Sequence, residues 1–418
     1  MQDILVDSLA PSIWESNDVK KGILCQLFGG VSKEFSQSGR GRFRGEINVL
    51  LCGDPSTAKS QLLQYVHKIA PRGIYTSGKG SSAVGLTVYI TKDPETKELV
   101  LESGALVLSD RGICCIDEFD KMDDNTRTIL HEAMEQQTVS VAKAGIICTL
   151  NARTAILAAA NPVHSKYDSK LSVVENIQLP PTLLSRFDLI YLMLDKGTEA
   201  SDRRLANHIV SLYSSPEAAA ATDEHMTAAG STEHEVQATN LIATNKTSRA
   251  FLARYISYAR QQVQPEIPDE MVEVLVNEYK EMRSMGNNAK TITATPRQLE
   301  SLIRISESLA KMRLSKRVEV CDIDEGVRLI KTAMQQSATD PKTGEIDMDI
   351  IATGIGAASN ARIKEICTYI RKVQADFRDR VAQSGVKYHN LFDYLNSKVK
   401  EGILKDEVKE TDFRDALL

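Results

Sequence analysis

Apolar and polar positions change their period more than once along this chain. Up to about Tyr213, short apolar runs alternate with stretches of helical spacing. Ile47, Val49, Leu50 and Leu51, then residues 112–116, then Ala155, Ile156 and Leu157 read as strands, while Leu62, Leu63 and Val66 mark one face of a helix. This is the βα rhythm of a mostly parallel sheet, and it assigns residues 1–213 to an α/β core. Two further pairs of runs predict hairpins. One joins Val88-Tyr89-Ile90 to Leu99-Val100-Leu101 through a turn at Asp93-Pro94, and the other joins 138–142 to 146–150 through Lys143-Ala144-Gly145.

Residues 214–246 lose all period. They are rich in Ala, Thr, Glu and Ser, a composition that buries too little apolar surface to offset its ordering entropy, and they predict a flexible linker. Helical spacing returns over 247–337 (Phe251, Leu252, Tyr255, Ile256; Leu299, Leu302, Ile303, Ile305), giving a small all-helical unit. Asp340-Pro341-Lys342-Thr343-Gly344 breaks the pattern within a connector at 338–359, and 360–418 predicts two or three amphipathic helices.

Composition narrows the class. With 418 residues, 42% of them hydrophobic, the chain can build two or three cores. A net charge of -5 means that any contact with nucleic acid has to come from local basic features. The seven cysteines form no C-x-x-C pair and mostly lie in apolar runs, which points to reduced core residues of an intracellular protein. No run of eighteen apolar residues and no signal-like N-terminus occur, so a soluble chain without a membrane partner is expected.

The candidate chemistry begins at Gly53-Asp54-Pro55-Ser56-Thr57-Ala58-Lys59-Ser60, which lies between a strand and a helix. In such a loop, backbone N–H groups and a helix N-terminus hold phosphates, Lys59 neutralises the β and γ oxygens, and Ser60 ligates Mg²⁺. Ala58 replaces the second Gly of the general pattern, so the bend is expected without a positive φ there. Downstream, an apolar strand ends in Asp117-Glu118, with Asp117 expected on Mg²⁺ and Glu118 on the attacking water. A surface acidic cluster capping the next helix is the competing assignment.

Core plus helical lid matches the AAA+ plan, and three more positions fit it. Asn161 follows the strand at Ala158-Ala159-Ala160 and is placed like a sensor that orients the lytic water; a turn residue before Pro162 is the plainer alternative. Arg186, in Leu184-Ser185-Arg186-Phe187-Asp188, is placed like an arginine finger, a cation that raises rates by roughly 10³ to 10⁵. Arg297 follows Thr295-Pro296 at a helix start and is placed like a second sensor. Surface ion pairs are the alternative for both arginines. Lys143, between two strand-like runs, is a candidate contact to a nucleic-acid backbone, against the plainer reading of a solvated surface charge.

The tracts Gly53 to Ser60, Tyr75 to Thr87, Gly112 to Met122, His131 to Gln137 and Leu184 to Leu189 closely resemble the minichromosome maintenance (MCM) replicative helicases. The resemblance implies an α/β AAA+ P-loop ATPase core with β-hairpin inserts, a small all-helical lid, and a C-terminal winged-helix domain that stops before its last helix and wing. It implies a 3′-to-5′ DNA helicase subunit of a nuclear heterohexameric ring, using ATP and Mg²⁺. Its partners would be other MCM subunits, single- and double-stranded DNA, and loading and activation factors. Lys59, Ser60, Asp117, Glu118 and Asn161 would serve this subunit's nucleotide, Arg186 and Arg297 the neighbour's, and Lys143 would face DNA in the pore. The family's N-terminal region is not in the sequence, so a fragment is expected. Two alternatives stay open: a protein-remodelling AAA+ ATPase of the same helix-insert group, and a ring scaffold that binds ATP with weak hydrolysis.

Overall fold

A computed structural model describes residues 2–14, 16–33, 43–92, 99–143, 146–163, 166–168, 171, 173–195, 199–214, 248–284, 295–337, 366–368 and 370. The elements run α1 (Gln2–Ser8), α2 (Asn17–Phe28), β1 (Val49–Gly53), α3 (Lys59–Ile69), β2 (Gly73–Ser77), α4 (Ala83–Leu86), β3 (Val88–Lys92), β4 (Leu99–Ser103), α5 (Ala105–Leu108) and β5 (Ile113–Asp117). After a 3₁₀ turn (Phe119–Lys121) come α6 (Asp124–Gln136), β6 (Thr138–Lys143), β7 (Ile146–Asn151), β8 (Ala155–Ala160), α7 (Val173–Ile177), α8 (Pro181–Leu184), β9 (Leu189–Met193) and α9 (Glu199–Ser214). Among the described residues there follow α10 (Arg249–Gln262), α11 (Asp269–Ser284), α12 (Pro296–Met312) and α13 (Val320–Ser337).

Five strands form one parallel sheet in the order β2-β5-β8-β1-β9. Every residue of β1 and β8 is buried, which is why those segments read as unbroken apolar runs rather than alternating ones. α3 packs across β2, β5 and β8, while α13 lies on β9 and α2 touches β1. Because the strands are parallel, Gly53, Asp117 and Ala160 all end on one edge of the sheet, where open α/β folds place ligands. β3 pairs with β4, and β6 with β7, as two separate antiparallel pairs. Lys143 is the last rung of the second pair, opposite Ile146.

α12 joins the helical unit to the core, and its inward face is partly polar. Ser308 donates to the Cys25 carbonyl (2.8 Å), Lys311 to the Gly30 carbonyl (2.7 Å), and Glu307 accepts from the Val31 N–H (2.8 Å). Each of these contacts satisfies a group that would be costly to bury alone. Burial lowers the Lys311 ammonium to about 8. The helix starts as its sequence indicates, with Pro296 in the first turn and the Gln298 side chain accepting from the Thr295 N–H (2.9 Å). The turn at Asp93-Pro94, the tip residues 144–145, positions 215–246 of the linker, the connector 338–359 and all of 360–418 except 366–368 and 370 lie outside the described residues.

Candidate functional site

The loop between β1 and α3 is shaped to receive an anion. Gly53 sits at φ 143°, and a side chain there would overlap the Met193 carbonyl. Ser56 and Ala58 both lie in the left-handed region, at φ 68° and 61°. The expectation for Ala58 is therefore corrected: the bend does use a positive φ at this position. An alanine bears the strain of a conformation that costs an L-residue about 1–2 kcal/mol. The first N–H groups of α3 have no partner within the helix and point the positive end of its dipole at the loop.

Lys59 is buried, and its ammonium donates to the Gly53 carbonyl (2.8 Å), the Asp54 carbonyl (2.5 Å) and the Thr57 hydroxyl (3.2 Å). Burial lowers its affinity for its proton, while Asp54, Asp117 and Asp120 act in the opposite sense. Ser60 is exposed in the first turn of α3, as is Pro55 in the loop. Asp54 has a different job from the rest of the loop. Its N–H donates to the Met193 carbonyl (3.1 Å), and its carboxylate accepts from the N–H groups of Tyr167 (2.8 Å) and Asp195 (3.2 Å), so it braces neighbouring segments.

Beside this loop, Asp117 ends β5 with both carboxylate oxygens held, one by the Tyr75 hydroxyl (2.9 Å) and one by the Glu118 N–H (2.9 Å). Glu118 lies at φ 51°, and its carboxylate accepts from Lys121 at 3.0 Å. Asn161 follows β8, its N–H donating to Asp120 at 3.1 Å. The structure thus brings Lys59, Ser60, Asp117, Glu118 and Asn161 to one edge of the sheet.

Arg186 and Arg297 are elsewhere. Arg186 precedes β9, and its carbonyl accepts from Asn48, the residue before β1. Five residues of strand separate Asn48 from Gly53, about 16 Å at the rise of a parallel strand. Both guanidinium groups converge on Glu135 at the end of α6, Arg186 at 3.0 Å and Arg297 at 3.4 Å. Arg297 also donates to the Ser185 hydroxyl (2.8 Å). The cleft they line, of about 390 Å³, is shared with Arg44 and Arg304.

Beneath this cleft is a buried charge cluster that sequence reading missed. Asp188 accepts from Arg304 (2.6 Å), Ser301 (2.6 Å) and the Asn48 N–H (2.8 Å), with Arg44 at 3.5 Å. Although burial raises its pKa, the two guanidinium groups and the hydrogen bonds outweigh that, and Asp188 is held below the usual carboxylate range. Tyr75, Asp120 and Glu135 were also missed, because each acts through a partner distant in sequence. The one signal available for Arg304 was its place beside Leu302 and Ile305, on a face that reads as apolar. The side chain of Lys143 lies outside what the structure describes.

Known proteins share much of this sequence. A family model described as the MCM P-loop domain matches residues 1–213, and one described as the MCM AAA-lid domain matches 250–334. The chain is 52% identical over 406 residues to the DNA replication licensing factor mcm4 of Xenopus tropicalis, covering 97% of this chain and 44% of that protein. It is 55% identical over 414 residues to MCM4 of Arabidopsis thaliana, covering 98% and 46%. With mcm4 of Schizosaccharomyces pombe the identity is 62% over 353 residues, covering 84% and 37%. A relative named mcm7 from the same yeast is 40% identical over 413 residues. The chain therefore spans less than half the length of the first three relatives.

Proposed function

This chain belongs to the MCM family, and from that premise we propose that it is an ATP-hydrolysing subunit of a hexameric ring helicase that unwinds duplex DNA, 3′ to 5′, in the nucleus. The observation that carries the proposal is the separation just described: Lys59, Asp117, Glu118 and Asn161 at one end of the parallel sheet, Arg186 and Arg297 at the other. A strand about 16 Å long separates these two ends of the sheet, so groups at opposite ends do not serve one triphosphate within one chain. They do so when the arginine end of each subunit faces the loop end of the next, which is what closes a ring by repeated head-to-tail contact.

The loop fits the triphosphate of ATP. Lys59 already stands among oxygen acceptors that phosphate oxygens can replace. Ser60 and Asp117 supply the hard oxygen donors that suit Mg²⁺. Bound there, Mg²⁺ would offset charge on the β and γ phosphates. Glu118 would orient the attacking water once released from Lys121, with Asn161, tied to Asp120, beside it. Arg186 and Arg297 would leave Glu135 for the neighbour's γ-phosphate, stabilising charge that develops in the transition state.

The division into a core at 1–213, a linker at 214–246, a lid at 247–337, a connector at 338–359 and a winged-helix-like segment at 360–418 belongs to the same reading, as does a DNA contact by Lys143. Partners are the other MCM subunits, single- and double-stranded DNA, and the factors that load and activate the ring. Membership of this family weighs against a protein-remodelling role. Among the described residues, no helix is long and apolar enough to cross a membrane.

The test is to combine the full-length protein with its neighbouring ring subunits and measure ATP hydrolysis with and without single-stranded DNA. Hydrolysis that appears on mixing, responds to DNA and is lost with Arg186→Ala is the expected result. Full hydrolysis by the chain alone, indifferent to DNA and to Arg186→Ala, would overturn the proposal, and tight ATP binding without turnover would favour a scaffold.

A further inference from the structure

Tyr75 has no part in the functional assignments above, yet its hydroxyl is hydrogen-bonded to the carboxylate proposed to hold Mg²⁺. It lies on β2, paired with Cys115 of β5, two residues short of Asp117 along the sheet. From there the phenol reaches forward to donate to one Asp117 oxygen at 2.9 Å, while the Glu118 N–H occupies the other at 2.9 Å. An ionised carboxylate offers about four lone-pair directions. Two are taken, so the remaining two have a fixed aim.

On its other flank the ring of Tyr75 lies beside that of His67, at a centroid distance of 6.2 Å. His67 belongs to α3, the helix whose first turn carries Ser60. The two proposed Mg²⁺ donors come from different elements, and Tyr75 meets both, its ring beside α3 and its hydroxyl on Asp117. Phe would keep the ring and its packing here but lose the hydrogen bond to Asp117.

We infer that Tyr75 is a positioning residue for the divalent cation, fixing the aim of the Asp117 carboxylate through its hydroxyl. The inference rests on the proposed Mg²⁺ role of Asp117. Groups that orient a metal's ligands from behind typically cost 10- to 100-fold in metal affinity when removed. Only one hydrogen bond is lost, and Asp117 keeps the Glu118 N–H on its other oxygen, so the expected loss is about 10-fold, at the lower end.

The experiment titrates Mg²⁺ into the assembled complex and follows binding of a fluorescent ATP analogue, for wild type, Tyr75→Phe and Asp117→Asn in this subunit. Tyr75→Phe is expected to raise the Mg²⁺ concentration for half-maximal response about 10-fold. Analogue binding in excess chelator and the thermal unfolding midpoint should stay unchanged. Loss of binding in chelator as large as that in Mg²⁺ would make Tyr75 a general structural residue and overturn the inference. An unchanged Mg²⁺ response in Tyr75→Phe, with Asp117→Asn defective, would overturn it while leaving the proposed function standing. An unchanged response in Asp117→Asn would instead remove the Mg²⁺ role of Asp117, and the inference with it.

Discussion

Replacing Arg304 by Met tests whether the buried cluster under the arginine cleft fastens the lid to the core. The side chain is 6% exposed and Asp188 2%, and their contact at 2.6 Å joins α12 to the residue just before β9. Met keeps most of the apolar stem and removes the cation. Breaking a buried pair from one side costs about 3–5 kcal/mol, because the remaining charge stays out of water. Asp188 retains Ser301, the Asn48 N–H and the more distant Arg44, which places the expected loss at the lower end, about 3 kcal/mol. With a urea dependence of about 2–3 kcal/mol per molar, the unfolding midpoint should fall by about 1 M. Folding holds the Asp188 pKa below its unfolded value, so its contribution is present above that unfolded value and is lost as pH falls through the folded one. Arg304→Met should therefore lose stability less steeply than wild type on acidification. Binding of a nucleotide analogue at the loop end should be unchanged. A midpoint shift below about 0.3 M, equivalent to less than about 1 kcal/mol, would refute the assigned role of the cluster.

Three further outcomes follow from the geometry. Ala58→Gly should leave nucleotide binding intact and raise stability by about 0.5–1 kcal/mol, since relief of left-handed strain outweighs the added freedom of the unfolded chain; a lower unfolding midpoint would contradict this. Glu118→Gln should bind ATP in the assembled complex yet hydrolyse it at least about 100-fold more slowly, as measured by phosphate release, and near-normal turnover would mean that the water is oriented by another group. Lys143→Ala should spare ATP binding but reduce unwinding of a forked duplex, the defect shrinking as salt rises because the wild-type contact is itself screened; unchanged unwinding at low salt would rule out the DNA contact.

Much of the core was legible because parallel strands buried on both faces leave unbroken apolar runs, and β1, β5 and β8 end where those runs end. Lys59, Asp117, Glu118 and Asn161 could be picked out because each occupies a fixed offset from a strand or helix terminus. Ala58 was misread because a composition rule about Gly stood in for the backbone angle, and the surrounding loop enforces that angle on alanine. Tyr75, Glu135 and Arg304 left no local trace: their partners are 42, 51 and 116 residues away, and only the folded sheet brings them together. The opposite placement of the two arginines became visible only through the parallel register of β1 with β9.

A site split between neighbours makes one demand that no single-chain site can meet. Reconstituting this protein separately with each adjacent ring subunit, and assaying ATP hydrolysis with Lys59→Ala or Arg186→Ala in this chain, measures it directly. A crossover is expected: Lys59→Ala abolishes hydrolysis with one neighbour only, and Arg186→Ala with the other only. Loss of hydrolysis in the same pair by both substitutions would mean that the two residues act at one site, contradicting the separation on which the account stands.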